Sequence, residues 1–189
     1  MFRVGITYRR VAKALRKLLQ TFSDSDHATD PDTRRSVSGI IIKLGGNTIL
    51  WKNVFQKITS HSSTESELMS LDLGATLTVY INWICIACGL TPIMPIPCYV
   101  DNQATIDIAS NPVQSGRNVH IHARYYYVRD LVFDGSILIV KINTNDQISD
   151  LLVSFKSFDT FHRFRAFLHG CCYIVMVAET ATWCTTYLL

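Results

Sequence analysis

A chain of 189 residues with 48 % hydrophobic and 17 % charged residues is about one domain long and too apolar for gross disorder. Five prolines and nine glycines exclude a collagen-like or low-complexity chain. The formal net charge of +3 is unevenly placed: residues 1–20 carry Arg3, Arg9, Arg10, Lys13, Arg16 and Lys17 and no acid, leaving −3 over the rest. Any affinity for a polyanion is therefore local.

No apolar run of signal-peptide length follows the first charges, so an intracellular chain (cytoplasmic, nuclear or both) is expected rather than a secreted one. Residues 9–19 read as a basic amphipathic helix with Val11, Ala14, Leu15, Leu18 and Leu19 on one side. A short strand is expected over residues 20–24, and β-rich residues 36–44 and 48–52 flank a Gly45-Gly46-Asn47 turn, which predicts a hairpin. Residues 62–88 carry a long helical pattern, with Ser63 or Thr64 as start signals and Gly89 beyond the end. Residues 91–97 hold three of the five prolines and predict a loop. Next come a strand over 96–101, helices over 102–110 and 120–133, a strand over 136–143 and a helix over 146–168. The order β-β-β-α-β-α-α-β-α predicts one α/β domain: a mixed sheet of three antiparallel strands followed by parallel ones, flanked by helices.

The six cysteines are Cys85, Cys88, Cys98, Cys171, Cys172 and Cys184. Cys85 and Cys88 have redox or metal spacing, but no second such pair exists, so buried structural thiols are expected and zinc is not. Residues 171–189 carry a single charge, Glu179, and are nearly long enough for a membrane span; Glu179 and four threonines argue against one.

Asp24 closes the first strand, Glu67 opens the long helix, Asp101 closes the fourth strand and Asp150 opens the last helix. In open α/β sheets, sites collect at strand ends and adjacent helix termini. Four carboxylates meeting there would repel one another unless cations neutralise them, and such hard oxygen ligands suit Mg²⁺ or Mn²⁺. Spacing alone also allows solvated surface acids.

The stretch Asp24-Ser-Asp-His-Ala-Thr-Asp-Pro-Asp-Thr-Arg-Arg-Ser-Val-Ser-Gly39 resembles the opening of the ribonuclease H domain in copia-type (Pseudoviridae-like) LTR retrotransposon Pol polyproteins. The likeness continues through Lys43-Leu-Gly-Gly46, Trp51-Lys52, Gln56-Lys57 and Ser62-Ser-Thr-Glu-Ser-Glu67. It then runs through Cys98-Tyr-Val-Asp-Asn-Gln-Ala104, Asn111-Pro112, Arg117, His120, Arg124-Tyr125, Val128-Arg129 and Asp146-Gln-Ile-Ser-Asp150, over roughly residues 20–152.

The resemblance implies a ribonuclease H-like five-stranded sheet and a domain over residues 20–168. Residues 1–19 would be a remnant of the upstream connection, and 169–189 an apolar tail. It implies Asp24, Glu67, Asp101 and Asp150 as catalytic residues and metal ligands for two Mg²⁺ ions, with Mn²⁺ possible. Asp26 shares a strand face with Asp24 and could lie near the site. Glu65 lies about 200° around the helix from Glu67. The implied reaction is two-metal hydrolysis of the RNA strand of an RNA–DNA hybrid, with Arg34, Arg35, Asn102, Gln103, Arg117, His120 and Arg124 as substrate contacts. The implied partners are the hybrid and the parent polyprotein's reverse transcriptase and integrase regions, with no obligate membrane partner. Departures include His27 for the family's Trp, Thr29 for a Gly, His122 for an acid and Val153-Ser-Phe-Lys156 in place of a Thr-Lys-Pro segment. They fit a truncated copy, and a non-catalytic remnant or interaction module is the alternative. An integrase-type nuclease is a weaker third reading, because that family's Asp-Asp-Glu order and His/Cys zinc pair are missing.

Overall fold

The computed structural model describes residues 8, 10–13, 15–110, 122–154 and 157–168. Its strands are β1 (Leu19–Asp26), β2 (Val37–Leu44), β3 (Asn47–Phe55), β4 (Ile96–Val100) and β5 (Ile137–Lys141). Its α-helices are α1 (Ser63–Ala87), α2 (Gln103–Ser110), α3 (His122–Phe133) and α4 (Phe158–Leu168). The strands form one sheet in the order β3-β2-β1-β4-β5. β1, β2 and β3 pair antiparallel, β4 joins β1 in parallel and β5 joins β4 in parallel. This is the mixed α/β sheet expected from the element order.

The β2–β3 turn needs two residues of positive φ, and Gly45 (φ 59°) and Gly46 (φ 80°) supply them. Strand alternation sends successive residues to opposite faces. Ile40 and Ile42 join Leu19 and Ile96 in one buried cluster, against which Leu73, Leu77 and Ile81 of α1 pack. Ile41 joins Phe22, Tyr99, Ile148 and Phe164 on the other face. A third cluster, including Leu71, Cys98, Val100, Ala109, Val128 and Ile137, packs α1, α2 and α3 over β4 and β5.

Helix α1 lies close over β1 because small residues recur every fourth position: Ser66, Ser70, Gly74 and Thr78. The hydroxyl of Ser70 donates to the Asp24 carbonyl at 2.6 Å, and Thr78 and Thr21 share a 2.5 Å hydrogen bond. A Cβ on Gly74 would meet Ile40, Ser23 and Thr21 at 3.4–3.5 Å, ordinary van der Waals contact. Ser62 caps the helix start, accepting from Glu65 N at 3.1 Å, while the Glu65 carboxylate accepts from His61 N at 2.6 Å. Glu65 is thereby occupied with capping. Gly89, at φ 76°, follows the helix end as its cap signal predicts. Among the described helices, α1 is the one long and apolar enough to cross a membrane, and here it is the central helix packed on the sheet.

Four expectations differ from the structure. The strand expected over residues 20–24 is longer, Leu19–Asp26, because its pairing with β2 continues past Asp24 to Asp26 opposite Val37, so Asp24 lies within the strand and does not close it. Within residues 9–19 the described part holds one 3-10 turn, Leu15–Lys17, instead of a basic helix, and Leu19 already belongs to β1. Gly45 N donates to Leu18 O at 2.8 Å, and Val11 packs against Gly45, so anchoring to the hairpin outweighs a short helical pattern. The single helix expected over 146–168 is instead two 3-10 turns, Thr144–Asp146 and Ile148–Leu152, followed by α4. Gln147, at ψ 97°, separates the turns, and Ser157 Oγ accepts from Thr160 N at 3.4 Å to start α4. Of the cysteines, Cys85 and Cys98 are buried but Cys88, the residue that caps the C-terminal end of α1, is exposed. Burial pushes the Cys98 thiol up to about 12. Cys171, Cys172 and Cys184 lie outside the described residues.

Candidate active site

The rings of Phe22 and Tyr99 stack at 4.7 Å across the β1–β4 ladder. Asp24 and Asp101 each lie two residues further along, so strand parity carries both carboxylates toward the same face. The ladder itself is short, with Thr21 opposite Cys98 and Phe22 opposite Tyr99. Here β1 leads to β2 on one side while β4 lies on the other, the kind of switch point where α/β sheets open. Glu67 arrives from the first turns of α1. Oxygen atoms of Asp24, Glu67 and Asp101 all lie within 4.8 Å of one another.

The backbone N–H of Ser25 donates to both Asp24 Oδ1 (2.9 Å) and Glu67 Oε1 (3.2 Å). Ser25 Oγ donates to Ser66 Oγ at 2.9 Å, which fixes the helix against this end of the strand. On the Asp101 side, Thr144 Oγ1 donates to Asp101 Oδ2 at 2.8 Å. Asp150, on the turn Ile148–Leu152, is buried and accepts from Ser154 Oγ at 2.7 Å. It lies outside the group that meets within 4.8 Å, but its charge reaches Asp24.

Burial pushes the Asp24 carboxyl up to about 10, reinforced by the charges of Glu67, Asp150 and Asp101. Burial and the Asp101 charge raise Glu67 to about 7, against the lowering effect of hydrogen bonds from Asp24 and Ser25. With no cation to neutralise them, both carboxyls therefore take up protons more readily than a free carboxylate does. Glu67 Oε2 is buried with no hydrogen-bond partner. Three converging carboxylates, one with an orphaned buried oxygen, fit a hard divalent cation.

The turn that bears Asp150 seats directly on β2. A Cβ on Gly39, which pairs with Asp24, would fall 2.7 Å from Val153 Cγ1 and 2.8 Å from the Ser149 carbonyl. Glycine here is a requirement of close approach. Gln147 inserts where the β1–β4 ladder ends, its Nε2 donating to Ser23 O at 2.9 Å and Tyr99 O at 3.3 Å. Gly39, Thr144, Gln147 and Ser154 were not singled out from the sequence. Gln147 sits inside the quoted Asp146–Asp150 motif and Gly39 ends another, so their positions were marked although their contacts were not.

The remaining sequence candidates are dispersed. Arg34 and Arg35 are exposed on the loop after β1, where Asp30 N donates to Arg35 O, Arg34 N donates to Asp30 O and Arg34 has φ 55°. Asn102 Oδ1 accepts from Thr105 N at 3.2 Å and so caps α2. Gln103 is exposed, donating to Asp107 and accepting from Lys141 Nζ, both at 2.8 Å. Asp26 lies at the end of β1, partly buried and outside the three-carboxylate group. Arg124 falls within α3, and Arg117 and His120 lie outside the described residues.

Among known proteins, this chain is 30 % identical over 135 residues to the retrovirus-related Pol polyprotein from transposon TNT 1-94 of Nicotiana tabacum, covering 71 % of this chain and 10 % of that protein. It is 34 % identical over 149 residues to the Pol polyprotein from transposon RE1 of Arabidopsis thaliana, 77 % of this chain and again 10 % of that protein. The chain thus spans about a tenth of the length of these relatives. Among solved structures it is similar to LC11-RNase H1, isolated from compost by a metagenomic approach, at TM-score 0.54 and 12 % identity over 72 % of this chain and 93 % of that one. The same enzyme in complex with an RNA/DNA hybrid matches at TM-score 0.52 and 12 % identity, covering 71 % and 93 %. These structural matches concern the fold. No family model matches the chain.

Proposed function

From a chain that belongs with the ribonuclease H regions of copia-type retrotransposon Pol polyproteins, we propose a nuclease that hydrolyses the RNA strand of RNA–DNA hybrids. Asp24, Glu67, Asp101 and Asp150 would hold two divalent cations, Mg²⁺ or Mn²⁺. The observation that carries this reading is the meeting of three carboxylates from β1, α1 and the end of β4 within 4.8 Å. The bound cations supply a lowered pKa for the attacking water and charge stabilisation for the departing 3′ oxygen.

The chain's own groups prepare that chemistry. Ser25 N–H orients Asp24 and Glu67, Thr144 orients Asp101 and Ser154 orients Asp150. Because burial and neighbouring charge raise both Asp24 and Glu67, binding of cations by these carboxylates would be linked to release of protons. Arg34 and Arg35 on the loop after β1, and Lys141 held by Gln103, offer cationic groups to a phosphate backbone. Choice of a hybrid over duplex DNA would rest on 2′-hydroxyl and groove-shape contacts. The reverse transcriptase and integrase regions of a longer polyprotein are the proposed partners.

The test is cleavage of a hybrid carrying labelled RNA. We expect cleavage that depends on Mg²⁺ or Mn²⁺ and is abolished by Asp101→Asn. Folded protein that leaves the hybrid whole with either ion, at millimolar concentration, overturns the reading in favour of a non-catalytic module.

A further inference from the structure

We propose that Gln147 is a positioning residue. Its buried amide clamps β1 to β4 at the mouth of the site and so sets the mutual spacing of Asp24, Asp101 and Asp150. The proposal rests on the nuclease reading for its consequence and on geometry for its substance.

Gln147 is fully buried, and its Nε2 reaches the carbonyls of Ser23, one residue before Asp24, and Tyr99, two residues before Asp101. Its own backbone carbonyl accepts from Asp150 N at 3.3 Å. One residue thus touches the backbone beside two of the acids and the backbone of a third. Two carbonyl partners fix the amide's orientation, because only its NH₂ end can donate to both.

The other end of the amide supports the same assignment. Oε1 of Gln147 is buried with no hydrogen-bond partner. An apolar side chain of similar length would fill the space without that orphaned acceptor, so the fold keeps an unfavourable group in order to keep its two donors. A glutamate here would set a carboxylate against two carbonyl oxygens, close to a centre already crowded with negative charge. Gln147 has the size and the neutral donor pair that the position needs. The parallel ladder ends at Phe22 and Tyr99, so without the clamp little joins the two strands at the level of the acids.

The test compares Gln147→Met, which has similar length and no donors, with Gln147→Asn, which keeps the amide but is too short to span both carbonyls. Ile42→Val, distant from the site, is the control for a general loss of stability. Three readouts are followed: amide exchange of residues 150, 153 and 154, Mn²⁺ affinity by calorimetry, and the split between kcat and KM on a hybrid. We expect Mn²⁺ affinity to fall about 10–100-fold in both Gln147 variants, as for other residues that orient ligands. Exchange at the three amides should rise by about ten-fold or more while the Ile40–Ile42 amides stay protected. The kcat should fall with KM held within about two-fold. Exchange and Mn²⁺ affinity that match those of wild type or the Ile42→Val control overturn the proposal. So does failure of both Gln147 variants to fold while Ile42→Val folds, which would make the residue a core element only. If wild type binds Mn²⁺ but cuts no hybrid, the nuclease reading fails and the binding and exchange results still decide the clamp. If wild type binds no ion, the exchange result decides it alone.

Discussion

At its first residue β1 buries Leu19 among Ile40, Ile42 and Ile96, with apolar side chains of α1 closing over them. Five residues later the same strand buries Asp24 beside Glu67 from the first turns of α1, with Ser23 Oγ and Glu67 Oε2 left unpaired. One end gains from removing apolar surface from water, the other gives up stability to hold like charges together out of water. The close packing that carries the acids is supplied by the small-residue row of α1 and by the apolar end. The site is thus a destabilised region carried by a stable one, and substitutions at the two ends should move stability and function in different directions.

The largest effect is expected at the apolar end. Ile42→Ala should lose about 2–5 kcal/mol of stability in urea unfolding, through lost transfer energy and a residual cavity. Hybrid cleavage well below the unfolding temperature should stay near wild type. A comparable loss of cleavage there would break the separation of the two ends. At the site, Gly39→Ala forces a methyl against Val153 and the Ser149 carbonyl. We expect a loss of about 1–3 kcal/mol from overpacking, together with weaker Mn²⁺ binding as the Asp150 turn is displaced. Unchanged Mn²⁺ affinity would show that the turn moves without carrying Asp150 from its place.

The dependence on pH sharpens the contrast. Asp24 and Glu67 bind protons more tightly folded than unfolded, their carboxyls being raised from 3.8 to about 10 and from 4.5 to about 7. Between those values the folded state holds more protons than the unfolded one, so stability falls as pH rises. In chelator-treated buffer the thermal midpoint should therefore drop from pH 5 to pH 8. Mn²⁺ should reverse the drop, and Asp24→Asn should flatten it. A midpoint that rises over this range in the absence of ions would contradict the raised carboxyls of Asp24 and Glu67. The smallest effect is expected at the helix start, where Ser62→Ala should lose about 1 kcal/mol by removing the cap, measured by urea unfolding.

Much of this was legible because it depends on local pattern. The β-β-β-α-β-α-α-β-α order follows from alternation, turn glycines and one long helical period, and the acids stood in motifs that resemble a known family. Two kinds of feature were hidden. Ile148, Leu151 and Leu152 have helical spacing whether they lie in one long helix or in a single 3-10 turn, so periodicity merged the turns with α4. The cap Ser157 and the acid Asp159 in the first turn were signals for the true start of α4. Contacts between distant segments, such as Gly39 against Val153 or Gln147 against Ser23 and Tyr99, have no local signature at all. The N-terminal segment failed for the reverse reason: its periodicity was real, but the hairpin turn captured it.

Helix α1 has one further consequence, of an architectural kind. Its 25 residues run about 37 Å, while the eight residues of β1 beneath it span about 27 Å. The last turns of the helix extend past the strand beneath it, and there Trp83, Ile84 and Ile86 face solvent despite their apolar character while Cys85 stays buried. These less covered turns should open first, so amides beyond Asn82 should exchange earlier than those between Ser66 and Thr78, in the same unbroken helix.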